Sequence, residues 1–277
     1  MRLLKQFAAV AVVAFAGSAA VGAVHGNTFL TLVFGLATAV LAVWTYAWVV
    51  RRTERRAPAE VGADGAPAAV GRGMAIGFAM FTAVIAAIAV CGGYGIDGFG
   101  SASGAIALIG FMAAAAVTEE LLFRGVLFRI VEGRIGTWWA LGLTGLVFGL
   151  SHLANPNASL WGALAIAVEA GGMLAAAYAA TRTLWVPIGL HFAWNFAGAG
   201  LFGTDVSGKS EHAGLLDGAT SGPMLLAGGD FGPEGSLFAV LAGVVLTVVF
   251  MRLARRRGNV VPRRRTGTPA PAATLAQ

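Results

Sequence analysis

Long apolar runs separated by short polar breaks make up most of this chain. They lie at about 4–24, 28–50, 74–92, 103–131, 138–154, 159–180, 184–203 and 236–251. A hydrocarbon layer of ~30 Å is crossed by ~20 helical residues at ~1.5 Å each. The pattern therefore predicts an all-α polytopic membrane protein with about eight spans around a buried polar site. The first run follows Arg2 and Lys5 and could be read as a cleaved leader. Its length, and the second span that follows almost at once, favour a retained helix.

Composition agrees with that class. The chain is 57% hydrophobic and 12% charged over 277 residues, too little polar material to cover a water-soluble protein of this size. A net charge of +6 could suggest nucleic acid as a partner, but the basic residues flank apolar runs instead. Arg2, Lys5, Arg51, Arg52, Arg55, Arg56, Arg72, Arg129, Arg134, Arg182 and the tail arginines 252, 255–257 and 263–265 all fall on one side of the predicted topology. Lys209 alone falls on the other, and Arg124 lies within a span. Such asymmetry predicts an integral protein of a cell membrane, bacterial by its simplicity, with both termini cytoplasmic. The single cysteine, Cys91, excludes an internal disulfide and a multi-cysteine metal cluster.

Five regions are expected. Residues 1–102 hold about three spans and a Pro/Gly/Ala-rich, mobile cytoplasmic linker at 51–73. Residues 103–203 form the core that carries the chemistry, 204–235 an extracytoplasmic loop, and 236–251 the last span. Residues 252–277 form a basic, disordered tail. Glycine and alanine are frequent within the spans, which suits close helix packing.

Four spans carry polar residues that lipid would not tolerate unpaired. Glu119, Glu120 and Arg124 lie on the fourth, His152 on the fifth, Glu169 on the sixth, and His191 with Asn195 on the seventh. Glu120 and Arg124 are spaced i, i+4 and can pair, leaving Glu119, turned by ~100°, available. His191 and Asn195 share a helix face by the same spacing. Counting from the arginine end at ~1.5 Å per residue puts Glu119, His152 and Asn195 near one depth, with His191 a turn lower.

The ordered segments Glu119-Glu120-x-x-x-Arg124, Phe148-x-x-x-His152 and His191-x-x-x-Asn195, each on its own span, resemble the CPBP family of intramembrane proteases. That family includes the CAAX prenyl (Ras-converting) endopeptidases and Abi-like immunity relatives. The resemblance covers about 103–203 and also takes in Thr118 through Gly125 and Thr183 through His191. It implies hydrolysis of a peptide bond in a membrane-associated protein or peptide, CAAX-like or other, admitted from the cytoplasmic side or laterally between helices. Glu119 would be the base that activates water, with His152 orienting it. Glu120 and Arg124 would fix the geometry, and His191 and Asn195 would stabilise the oxyanion.

No cofactor is required on this reading. Zinc held by Glu119, His152 and His191 is the alternative, although there is no His-Glu-x-x-His and the third motif ends in asparagine. A transporter in which Glu119, Glu120 and Glu169 form an ion path, or a non-catalytic immunity protein, are the rival functions. Glu169 is expected either to line the cavity or to bond a neighbouring helix. His25 and His212 are expected at the surface, and Trp161, Trp185 and Trp194 at the interface or in packing.

Overall fold

The computed structural model describes residues 1–210 and 213–263. Its helices are α1 (Arg2–Ala23), α2 (Thr28–Glu54), α3 (Ala66–Val90), α4 (Ala102–Glu120), α5 (Arg129–Ile135), α6 (Thr137–Ser151), α7 (Leu160–Ile166), α8 (Met173–Thr181), α9 (Trp185–Asn195), the short α10 (Met224–Ala227) and α11 (Leu237–Arg256). Leu121–Phe128 joins α4 to α5 as π-helix, so Ala102–Ile135 runs as one rod. Ala167–Gly172 joins α7 to α8 in the same way, and Phe196–Leu201 extends α9.

Six of these rods are long and apolar enough to cross a membrane: Arg2–Ala23, Thr28–Glu54, Ala66–Val90, Ala102–Ile135, Leu160–Thr181 and Leu237–Arg256. The runs at 138–154 and 184–203 form α6 and α9, of 15 and 11 residues before their winding changes. Successive rods alternate in direction, so the arginines gather at one end of the bundle. At the opposite end four helices begin on a side-chain cap. Asn27, Ser101, Ser159 and Ser236 accept from the backbone N–H three residues on, satisfying a donor that the helix itself leaves open.

Glycine sets the closest approaches. A Cβ at Gly73 would lie 2.2 Å from the Val186 carbonyl oxygen, and one at Gly189 2.3 Å from that of Val70. The α3–α9 contact therefore admits no side chain at either position. Between helices in lipid, where tails are as apolar as leucine, such backbone proximity and its dispersion energy replace the hydrophobic drive.

At the end opposite the arginines, β1 (Tyr94–Phe99) pairs antiparallel with β2 (Leu216–Thr220), with an irregularity between Ile96 and Gly98. This small sheet, unforeseen in an all-α reading, ties the α3–α4 connection to the 204–235 loop.

The arginine end is more ordered than the sequence suggests. The expected mobile linker shrinks to 55–65, because α2 and α3 take its ends. Its Glu60 is buried, accepts from Tyr46 Oη at 2.6 Å, and pairs with Arg56 (2.6 Å) and Arg129 (3.1 Å). Buried Gln6 of α1 joins the same network through Thr53, Glu54 and Arg129. The expected disordered tail is likewise corrected as far as it is described. Helix α11 continues to Arg256, Asn259 donates to the Ala180 carbonyl, and Val261 exchanges hydrogen bonds with Thr137. Backbone groups at the ends of α6 and α8 need partners, and this segment supplies them. Residues 264–277, and the expectation for His212, lie outside the described residues.

Burial opposes ionisation of Glu60, but hydrogen bonds from Arg56 and Tyr46 overcome it and hold the carboxyl below its ordinary value. A depressed folded-state pKa gives stability that is present above the unfolded value of ~4.3 and lost as pH falls through the folded value. Glu60→Gln is expected to lower stability in detergent by about 1–3 kcal/mol at neutral pH. Thermal unfolding should show that deficit narrowing on acidification below pH ~4.

Candidate active site

The first motif ends α4 and enters the π-helical stretch. Glu120 is fully buried and its Oε1 accepts from Arg124 Nη1 at 2.7 Å. The i, i+4 pairing drawn from spacing is present across the change of winding. Arg124 Nη2 also donates to the Ala170 carbonyl at 3.0 Å. That oxygen belongs to the second π-helical stretch, where the wider turn leaves carbonyls open to outside donors. The guanidinium lies 4.3 Å from the Phe148 ring centroid, a favourable position for a desolvated cation.

His191 completes the chain. Its Nδ1 is 2.9 Å from the same Glu120 oxygen, and its Nε2 is 3.9 Å from Glu119 Oε2. Glu120 thus fixes one ring nitrogen and turns the other towards Glu119. Sequence-based depth put His191 a turn below Glu119. Two side chains of this length bridge such an offset, and they meet at that 3.9 Å contact.

Glu119, His152, His191 and Asn195 line one cavity of about 460 Å³. Glu119 keeps a third of its side chain exposed there, whereas Glu120 has none. His152 ends α6, with Nδ1 2.8 Å from the Phe148 carbonyl oxygen. Phe148 packs edge-on against both His152 and His191, which gives the first residue of Phe-x-x-x-His a physical role. Phe7, Ala11 and Phe15 of α1 and Phe111 and Ala115 of α4 provide apolar wall.

A turn at 206–209 roofs the cavity, with Ser207 and Lys209 among its lining residues. The turn is tightly held. Val206 and Lys209 exchange backbone hydrogen bonds, Asn155 Nδ2 donates to the Ser207 carbonyl at 2.6 Å, and Glu234 Oε2 accepts from Ser207 N and Oγ. The other oxygen of Glu234 accepts from Trp194 Nε1 at 2.7 Å. Buried Glu234 therefore ties α9, beside Asn195, to the roof. Sequence reading missed Glu234, Ser207 and Asn155, since nothing local distinguishes one loop acid from another. Trp194 is buried rather than interfacial.

Glu169 is fully buried. It lines a much smaller void with His152, His191, Asn195 and Glu234, and neither carboxylate oxygen has a hydrogen-bond partner among the described residues. It is not among the lining residues of the larger cavity. No lining residue of the larger cavity comes from the connections at the arginine end, which the Gln6–Glu54–Glu60–Arg129 network occupies, while Phe7 of α1 brings the cavity wall next to that network.

The zinc alternative needs three donors converging on one point. His152 and His191 both have Nδ1 engaged and Nε2 available, as metal-ligating histidines do. Among the described residues, however, no three His, Cys, Asp or Glu side chains stand within reach of a common ion.

Arg124→Ala would strand the Glu120 carboxylate in the interior and is expected to cost about 3–5 kcal/mol. Glu120→Gln combined with Arg124→Met removes both charges and should cost clearly less, as read by thermal unfolding of the two variants side by side.

Residues 101–197, roughly a third of the chain, match the family model described as type II CAAX prenyl endopeptidase Rce1-like. No curated protein and no solved structure matches the chain. The matched segment contains Glu119, Glu120, Arg124, His152, His191 and Asn195, so it is over the residues of the site that the chain is similar to that family.

Proposed function

We propose that this protein is an intramembrane endopeptidase in which Glu119 activates a water molecule for attack on a peptide carbonyl. The observation that carries the reading is the pairing, on one cavity wall, of a partly exposed carboxylate with a histidine whose far side is anchored in the interior. Water reaches a carboxylate at this depth only through a protein-lined cavity, and this cavity is large enough to hold peptide as well.

The steps follow from what each side chain offers. Glu119 takes a proton from water, and the hydroxide forms a bond to the carbonyl carbon. Negative charge then develops on the carbonyl oxygen. Asn195 can donate to it through its amide, and His191 through Nε2–H when both ring nitrogens carry a proton. Collapse of the tetrahedral intermediate breaks the C–N bond. The proton held by Glu119 passes to the departing amine, leaving a new carboxylate and a new amino terminus. His152, with Nδ1 committed to the Phe148 carbonyl, can present Nε2 to the attacking water. Glu120 and Arg124 do not touch substrate and act through His191.

The substrate is a membrane-associated polypeptide. α1 packs chiefly on α2 and α4, so the cavity side between α1 and the end of α6 is open to the lipid and admits a tethered chain laterally. Burial at the site strengthens every donor, because a desolvated oxyanion gains more from each hydrogen bond than one in water.

Glu119→Gln is expected to abolish cleavage of a fluorogenic, membrane-tethered peptide library by the purified protein in liposomes, with its melting temperature unchanged. Asn195→Ala should lower kcat about 10²–10³-fold. Retained turnover in Glu119→Gln would remove the base from the mechanism. Loss of wild-type activity to a chelator, restored by zinc, would assign the water-activating role to a metal.

A further inference from the structure

We infer that the catalytic cavity is worked from the extracytoplasmic face, so that its substrates are anchored polypeptides whose scissile bond is displayed on that side. This rests on the endopeptidase reading for the word substrate; the route into the cavity stands on geometry alone.

Three observations converge. First, the arginine end is closed beneath the site. Gln6, Glu54, Glu60 and Arg129 form a mostly buried ion and hydrogen-bond network across α1, α2 and the start of α5. Above it lies the Glu120–Arg124 pair, whose side chains are 0% and 2% exposed. A peptide entering through the network would have to break its ion pairs, and charges stranded by such a break are costly in a low-dielectric interior. Second, every polar connection that reaches the cavity comes from the other end: Asn155 follows α6, and Ser207 and Lys209 follow α9. Third, that end is poor in basic residues. Lys209 is the only lysine or arginine in any connection there, against acidic residues at 97, 205, 211, 217, 230 and 234. Loops so depleted of Lys and Arg are the ones left outside when a chain inserts.

The consequence concerns specificity. A substrate with its cleavable segment in the cytosol meets the Gln6–Glu54–Glu60–Arg129 network on the direct path to Glu119, and is left only a sideways path along α1. One whose segment emerges on the outer face can enter beneath the 206–209 roof, with its anchor remaining in lipid beside α1. Lys209 then stands at the mouth as the one cation the arriving segment meets.

The chain supplies its own probe of sidedness. Cys91, exposed just beyond α3 at the same end as the mouth, is its single cysteine. In intact cells a membrane-impermeant maleimide is expected to label Cys91 without permeabilisation. In a Cys91→Ser background, Ala115→Cys, on the cavity wall, should label from the same side and stay unlabelled in sealed inside-out vesicles. Two single-pass reporters bearing the same library-selected segment, one on each face of the membrane, complete the experiment. Cleavage of the outward reporter alone is the expected result. Labelling of Ala115→Cys only from the cytoplasmic side, or cleavage only of the inward reporter, overturns the inference while leaving the protease standing. Outside labelling with neither reporter cleaved upholds the route into the cavity and counts against the endopeptidase reading, so the two failures are separable.

Discussion

The buried chain Arg124–Glu120–His191 is the constraint on which the rest of the site depends. A carboxylate with no solvent exposure needs a cation beside it at this depth. Arg124 is that cation, and Phe148 and the Ala170 carbonyl hold it in turn. Held by Arg124, Glu120 has a second acceptor direction free on the same oxygen, and His191 fills it. The ring is then oriented with its other nitrogen towards Glu119. Four helices are tied together through this one link, and Glu119 is left facing the cavity.

The π-helical stretches belong to the same arrangement. Leu121–Phe128 follows the paired glutamates, Ala167–Gly172 contains Glu169 and offers Ala170 to Arg124, and Phe196–Leu201 follows Asn195. Each contains glycine, which tolerates backbone that bulkier residues resist. Wider winding exposes carbonyls and shifts side chains around the helix axis, and such stretches recur at functional positions. Here they let three rods turn polar groups inward at one level without a break in the helix.

Much of this was legible in the sequence because membrane insertion is governed by runs of residue type. Six of the eight apolar runs lie on helices long enough to cross a membrane and the other two form the shorter α6 and α9, while the motif residues 119, 120, 124, 152, 191 and 195 come together. The pairing of Glu120 with Arg124 follows from spacing alone. What escaped sequence reading depends on contacts between distant segments. Glu60, placed in a nominal linker, is buried because Tyr46, Arg56 and Arg129 meet around it. Glu234, 40 residues beyond Trp194, holds the roof of the site. The π-wound stretches read as ordinary helix in the sequence, and the β1–β2 pair joins strands more than 100 residues apart.

The central claim is that Glu120 and Arg124 act only through His191, and a double-mutant cycle in catalysis tests it most directly. Initial rates of tethered-peptide cleavage would be compared for Glu120→Gln, His191→Ala and the two combined. If Glu120 works by orienting His191, the combined variant should be no slower than His191→Ala alone, because the second change removes support for a ring already gone. Losses that multiply in the double variant would mean that Glu120 reaches the reaction by another route, and would contradict the account.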